Sequence, residues 1–548
     1  MDDSSGELIL GGAGAAAFIA LAPSAEAPER FAAEELQRYT EQVTGSRLPI
    51  VDRAGQGPGF AVGLGTLRED EAAIAARELA GRGEDGYLMR SFGSRIALAG
   101  NSPRATLYAV YHFLEKYLGC GWCVPGEDIV PRRSTVRVGA IADALGPPDF
   151  SLRQLILHPY GPQWMHVNTL RHVDWLAKSR LNWAHAAPNG PYVWEESRSR
   201  QVLVPEVQRR GLYLQVGGHA FNLWVPPDWY AADHPEFYAL LPDGTRRADG
   251  THETSLCLSN PRVVEMVAAN INAWLDANPE AHAVDLWHSD SFAYCHCPDC
   301  LPPGTADEES ARLAYTATYI RFVNEVARRV AARHPRVLIN LLAYAMTTAC
   351  PPDAERCADN VLVGLCLFPR PPQRTLKPIE TSDLPRDVAL RPQIPAWRRI
   401  CKHYYIYEYY TCAPDYRKWT ALSMMAQDLR YFRRVGADGI SSDQWGPYWY
   451  PLNMYAFARL TWDADLEPDA ILRDFCSRYY AAAAEPMVAY WRALEEGLRE
   501  SWQTDAPPDW RDEVRLGLIR DALELAGDDE DTRRRVRATA ELHGLACH

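Results

Sequence analysis

The sequence predicts an α/β protein built around a (β/α)8 barrel of the TIM type, with a small α/β domain before it and a helical region after it. Three observations point there. From Ser151 onward, strand-length apolar runs alternate with helix-length amphipathic segments, eight times over roughly 300 residues. The 548-residue chain is too long for one simple core, so more than one domain is expected. After about residue 467 the strand-length runs cease and only helical patterns remain.

The first region, 7–142, reads as follows. Glu7–Leu10 and Ala17–Leu21 are short strands. Pro28–Val43 is a helix, with Ala32, Leu36, Tyr39 and Val43 at helical spacing and Gly45 as its stop. Phe60–Leu64 is a strand, and Gly86–Arg90 with Arg95–Ala99 makes a hairpin. Asn101-Ser102-Pro103 starts a second helix, because Ser and Asn cap free amides and Pro fits the first turn. Pro131–Val138 closes the region, and Gly146-Pro147-Pro148 is a linker.

In the second region, 150–466, the expected strands are Leu152–Leu157, Leu181–His185, Leu212–Val216, Val284–Trp287, Val337–Ala343, Val361–Cys366, His403–Tyr409 and Gly439–Ser442. Helices at Leu170–Arg180, Arg262–Leu275, Ala311–Arg333 and Ala421–Val435 lie between them. The third region, 467–548, carries helices at Ala470–Tyr479, Met487–Trp502, Arg511–Ala526 and Asp531–His543.

Composition excludes some functions. A net charge of −14 lacks the basic footprint that nucleic acid or anionic membrane requires. The 13 cysteines are odd in number and unevenly spaced in a long chain, unlike a disulfide scaffold. The apolar stretch near Gly11–Leu21 follows Asp2, Asp3 and Glu7 and lacks the basic flank of a signal peptide, so a soluble, cytoplasmic protein is expected. The 17 Trp and 27 Tyr suit a carbohydrate ligand, since an aromatic face buries sugar C–H surface.

Barrel chemistry sits at the carboxyl ends of the strands. His158, His219 after Gly217-Gly218, Ser289-Asp290, Tyr344, Arg370, Glu408 and Asp443, with Trp445, Tyr448 and Trp449, fall there. Hydrolysing a glycosidic bond takes an acid to protonate the leaving oxygen and a second group for the oxocarbenium-like centre. Asp290 is the candidate acid, with Glu408 or Asp443 as its partner. His219, Ser289, Arg370, Tyr344, Trp445 and Trp449 are candidate substrate ligands. Cys295-x-Cys297-x-x-Cys300, joined by Cys257, offers four thiols for a structural zinc, with His288 and His296 as other candidate ligands. Cys120-Gly-Trp-Cys123 has redox spacing but follows a helix, and reads as incidental. No phosphate-cradling glycine loop, dinucleotide fingerprint or Gly-x-Ser-x-Gly elbow occurs.

Several segments resemble the domain-of-unknown-function family 4838: His234-Pro-Glu-Phe-Tyr, Leu256-Cys-Leu-Ser-Asn-Pro, Ser289-Asp290 leading to the cysteines, and Leu460-Thr-Trp-Asp. Ala33-Glu-Glu-Leu and Leu107-Tyr-Ala-Val-Tyr-His-Phe-Leu are similar to the domain preceding the barrel in family 67 α-glucuronidases and β-N-acetylhexosaminidases. The resemblance implies a glycoside hydrolase needing no catalytic cofactor, acting on a glucuronic-acid- or N-acetylhexosamine-containing glycan; some relatives are endo-β-N-acetylglucosaminidases. In hexosaminidase-like barrels strand four ends in an acidic pair, whose second member is the general acid and whose first steadies the acetamido group. Asp290 matches the second position. Serine stands at the first, where family 4838 usually shows Asn, and cannot supply the negative charge. The alternatives are a non-catalytic carbohydrate-binding protein on the same barrel and a metal-dependent hydrolase using the cysteines.

Overall fold

A computed structural model describes residues 7–12, 17–52, 57–157, 164–186, 199–219, 221–250, 254–291, 293–303, 305, 307–368, 377–411, 420, 422–444, 450–504 and 510–545. Eight parallel strands close into a barrel: Leu152–Leu157, Trp183–Ala186, Tyr213–Val216, Ala283–Asp285, Leu338–Ala343, Val361–Cys366, His403–Glu408 and Gly439–Gln444. They are called the first to eighth barrel strands below. Closure comes from the first strand pairing with the eighth, Leu152 opposite Gly439. Gly439 is required there, because a Cβ would sit 2.6 Å from that of Leu152.

The small domain before the barrel holds a six-stranded sheet in the order Ala142–Leu145, Tyr87–Phe92, Arg95–Gly100, Gly59–Val62, Phe18–Leu21, Ile50–Val51. The helix Ala27–Thr44 opens with Pro28 in its first turn and stops at Gly45, whose φ of 74° only glycine adopts readily. The helix Pro103–Phe113 is capped as its sequence indicates, with the Ser102 hydroxyl accepting the Ala105 amide at 3.1 Å. The strand expected to reach Leu64 ends at Val62, where Gly63 turns the chain into a short 3-10 segment. The helix Glu69–Leu79 was not expected. Its buried face is only Glu71, Ala75 and Leu79, too weakly apolar to show as a stripe.

This domain is riveted to the amino-terminal end of the barrel by buried ion pairs. Asp85 accepts from Arg104 Nε at 2.9 Å, Arg153 Nη2 at 2.6 Å and Asn182 Nδ2 at 3.0 Å. Burial opposes its ionisation, but Arg104 and Arg153 outweigh burial and hold the carboxyl below its usual range. Glu115 lies between Arg459 and Arg180, and despite burial the two guanidiniums bring it down to about 2. The rings of Trp462 stand under both Arg153 and Arg180, 5.3 and 5.7 Å from ring centroid to guanidinium carbon.

The terminal helices Pro468–Tyr479, Ala484–Thr504, Asp512–Ala526 and Glu530–Leu542 return to the first domain. Arg534 there pairs with Glu127 at 2.8 Å, in the hairpin Gly121–Val124 and Glu127–Ile129. Cys120 just before that hairpin's first strand and Cys123 within it are buried, each thiol pushed up by burial to about 12. Among the described residues no helix is long and apolar enough to cross a membrane.

Candidate active site

Strand alternation sorts the barrel's side chains into two sets. Tyr404 and Ile406 belong to the core between strands and helices, while Tyr405 and Tyr407 line the inside. Inside, a polar layer crosses the barrel at mid-height. Ser441 Oγ donates to Gln154 at 2.8 Å, Gln154 Nε2 to Gln215 at 2.9 Å, and Gln215 Nε2 to Asp285 at 2.6 Å. His185 Nε2 meets the other Asp285 oxygen at 2.7 Å. All five side chains are buried, and burial pushes the Asp285 carboxyl up. Sequence reading missed this layer. Its signal is a lone polar residue interrupting each of several apolar strands, at one height that only the barrel register reveals.

Above the layer lies the mouth. Gly217 has a φ of 138° and passes so close to the fourth strand that a Cβ would come 2.6 Å from that of Asp285. That approach brings His219 to Trp287, which it meets in an isolated parallel bridge. Val284–Trp287 was expected as the strand, but the ladder ends at Asp285. The chain continues past Trp287 to His288, Ser289 and Asp290. His219 Nδ1 donates to the His288 carbonyl at 2.6 Å, and its Nε2 lies 3.9 Å from Asp290 Oδ1. The Tyr344 hydroxyl donates to the same Oδ1 at 3.2 Å. Asp290 is half open to solvent, with 49% of its side chain exposed. Ser289 is buried, its hydroxyl 3.3 Å from that of Ser291. His288 is buried too, and burial lowers its pKa to about 4, keeping it neutral.

The other two carboxylates differ in direction. Asp443 shares the inward parity of Ser441 and accepts from the Tyr407 hydroxyl at 2.8 Å. Glu408 has the outward parity of Tyr404 and Ile406, and accepts the Tyr409 amide at 3.2 Å. A row of rings joins Asp290 to Asp443. From Tyr344, which touches Asp290, the centroids step 6.1 Å to Phe368, 5.2 Å to Tyr409 and 5.2 Å to Tyr407, which touches Asp443. Phe368, an apolar ring left 39% exposed at this rim, was missed by the sequence reading, because a single Phe after a buried strand looks like core. His158, Arg370, Trp445, Tyr448 and Trp449 lie outside the described residues.

Beside the mouth, the structure brings Cys257 together with Cys295, Cys297 and Cys300, their four sulfurs all within 4.8 Å of one another. His288 is turned away, its Nε2 facing the Tyr344 carbonyl at 3.1 Å. The His296 ring stacks on Tyr294 at 4.4 Å.

Comparison with known proteins adds the following. The family described as domain of unknown function DUF4838 matches residues 122–492, and the glycosyl hydrolase family 67 N-terminus matches residues 15–113. No curated protein matches the chain. A family GH115 4-O-methyl-alpha-glucuronidase with specificity for decorated arabinogalactans has a similar structure, with a TM-score of 0.60 at 11% identity, covering 98% of this chain and 73% of its own. A GH138 enzyme targeting pectin rhamnogalacturonan II gives 0.58 at 11% identity, over 96% of this chain and 68% of its own. The N-acetyl-beta-hexosaminidase of Streptomyces plicatus gives 0.52 at 14% identity, over 90% and 93%. At such identities the likeness is one of fold.

Proposed function

This chain belongs to the DUF4838 family, and we propose that it is a glycoside hydrolase that cleaves a bond in a glucuronic-acid- or N-acetylhexosamine-containing glycan by carboxylate chemistry. One observation carries the reading. A solvent-open carboxylate, Asp290, lies in the loop after the fourth strand, and a row of rings joins it to an inward carboxylate, Asp443. The three similar structures, all named as glycan-cleaving enzymes, support the same class.

In this mechanism Asp290 protonates the leaving oxygen. The Tyr344 hydroxyl donates to Oδ1, which leaves Oδ2 for the substrate. Asp443, kept an acceptor by the Tyr407 hydroxyl, faces the oxocarbenium-like centre as nucleophile or as base toward water. Its inward parity favours it over Glu408, whose carboxylate secures the end of the seventh strand. Serine at 289 leaves an acetamido group without an anionic partner, so the protein supplies the second carboxylate itself. Phe368 with Tyr344 and Tyr409 offers the flat surface on which a pyranose ring lies. Bond cleavage in this scheme draws on no cofactor.

The test is release of reducing sugar from a panel of glucuronic-acid- and N-acetylhexosamine-containing oligosaccharides, whose sugar leaving group needs a proton to depart. The unaltered chain should turn over at least one. Asp290→Asn should lose about 10²–10⁴-fold in kcat at unchanged Tm. Equal turnover by the variant removes Asp290 from the reaction. Ser289 favours a second reading, a carbohydrate-binding protein, and sugar binding with no product from the unaltered chain would select it.

A further inference from the structure

We infer that Cys257, Cys295, Cys297 and Cys300 hold one zinc-class divalent ion in a closed tetrathiolate site, and that this ion anchors the loop presenting Asp290. The anchoring role rests on the hydrolase reading above; the site itself does not.

The four sulfurs lie close enough together to share one tetrahedral ion, all within 4.8 Å of one another. Cys257 Sγ lies 3.7 Å from Cys297 Sγ and 3.9 Å from Cys300 Sγ. Four sulfurs at a zinc–sulfur distance of about 2.3 Å stand about 3.8 Å apart. A disulfide would need about 2.05 Å, and all four are free thiols. Two backbone amides already point at the sulfurs, Leu240 N–H at Cys295 Sγ (3.3 Å) and Ser259 N–H at Cys300 Sγ (3.4 Å). Such donors stabilise the thiolate form that a metal requires. Four soft sulfur donors select zinc over magnesium or calcium. All four cysteines are buried, and with four protein ligands no position is left for water. The site is therefore structural, which argues against a metal-dependent hydrolase. Loading displaces the thiol protons to solvent as four zinc–sulfur bonds form, with no change of oxidation state.

The ligands tie separate segments together. Cys257 precedes the helix Pro261–Ala277, and the other three lie between the fourth strand and the helix Glu308–Ala331. The His296 amide donates to Leu240 at 2.7 Å and the Cys257 amide to Phe237 at 2.8 Å, so both ligand-bearing segments are seated on 237–240. The loop that carries Asp290 is thus held at one end by the fourth strand and at the other by the ion.

The experiment takes the full chain, purified without chelator, and measures metal by inductively coupled plasma mass spectrometry and backbone hydrogen exchange by mass spectrometry. One zinc per chain is expected. Cys257→Ser combined with Cys297→Ser should abolish it. Where that variant does not fold, dialysis of the unaltered chain against a strong zinc chelator serves instead. It should speed exchange in 286–301 and leave Arg95–Gly100 unchanged, and zinc chloride but not magnesium chloride should reverse it. Turnover should fall about 10- to 100-fold with the zinc and return with it. No zinc as purified, together with no uptake of zinc and no thiolate-to-cobalt charge-transfer band on adding cobalt, overturns the site. Zinc bound, but with exchange in 286–301 unmoved by its removal, overturns the anchoring role. A zinc-loaded chain that responds in exchange yet cleaves no glycoside sinks the hydrolase reading and leaves the metal site standing.

Discussion

The two ends of the barrel are built from the same kinds of side chain and use them in opposite ways. At the amino-terminal end, Asp85 and Glu115 are buried and matched with Arg104, Arg153, Arg180 and Arg459. At the carboxyl end, Asp290 and Asp443 take hydrogen bonds from the hydroxyls of Tyr344 and Tyr407. An arginine fixes a carboxylate as an anion and holds it in place. A tyrosine hydroxyl orients a carboxylate and leaves its proton exchange open. The first arrangement makes a joint between domains, and the second a place for acid–base work.

The largest effects should separate the two ends cleanly. Asp443→Asn should cut kcat by about 10²–10⁴-fold with Tm unchanged, whereas Glu408→Gln should act mainly on Tm; steady-state kinetics with calorimetry checks both. At the other end Glu115→Gln leaves Arg459 and Arg180 buried without their anion. It should cost about 3–5 kcal/mol in urea unfolding while KM of the folded fraction stays the same. A large kinetic effect there would break the comparison.

A pH titration probes both ends at once. Burial lowers His288 to about 4 at the mouth and His112 to about 3 in the first domain, both below the unfolded value of about 6.5. Between those values the unfolded chain binds more protons than the native one, so stability should fall as pH drops from about 6.5 toward 4. For His288 the loss amounts to roughly 3 kcal/mol by about pH 4. His288→Asn should flatten that limb in urea titrations. Asp85 and Glu115, held low, lose their contribution only at more acidic pH, as each is protonated.

Smaller effects refine the mouth. Tyr407→Phe removes the donor to Asp443 and should cost about 1.5–3 kcal/mol in kcat/KM. Phe368→Ala should weaken sugar binding by about 0.5–1.5 kcal/mol, seen in KM more than kcat, and Phe368→Trp should restore it.

The barrel was legible because strand periodicity and length survive in the linear sequence. The first and sixth strands, Leu152–Leu157 and Val361–Cys366, run as read. The fourth is shorter, since Trp287 leaves the ladder to meet His219 and to give its indole N–H to Asn340. The helix Ser199–Arg209 went unread because Pro205 sits inside it. In the site, a carboxylate just past an apolar strand announces itself, and so does a run of cysteines. The Ser441–Gln154–Gln215–Asp285–His185 layer does not, because height within a barrel is a property of register between strands distant in sequence. Phe368 was hidden for a related reason: exposure depends on what the neighbouring loops leave uncovered.

The central claim is that Asp290 and Asp443 serve one sugar-binding mouth. A crystal structure with a non-hydrolysable thioglycoside of the substrate tests it most directly. The expected result puts the bridging sulfur within about 3.5 Å of Asp290 Oδ2, the pyranose against Phe368, and Asp443 across the ring from Asp290. A thioglycoside seated away from either carboxylate would contradict it.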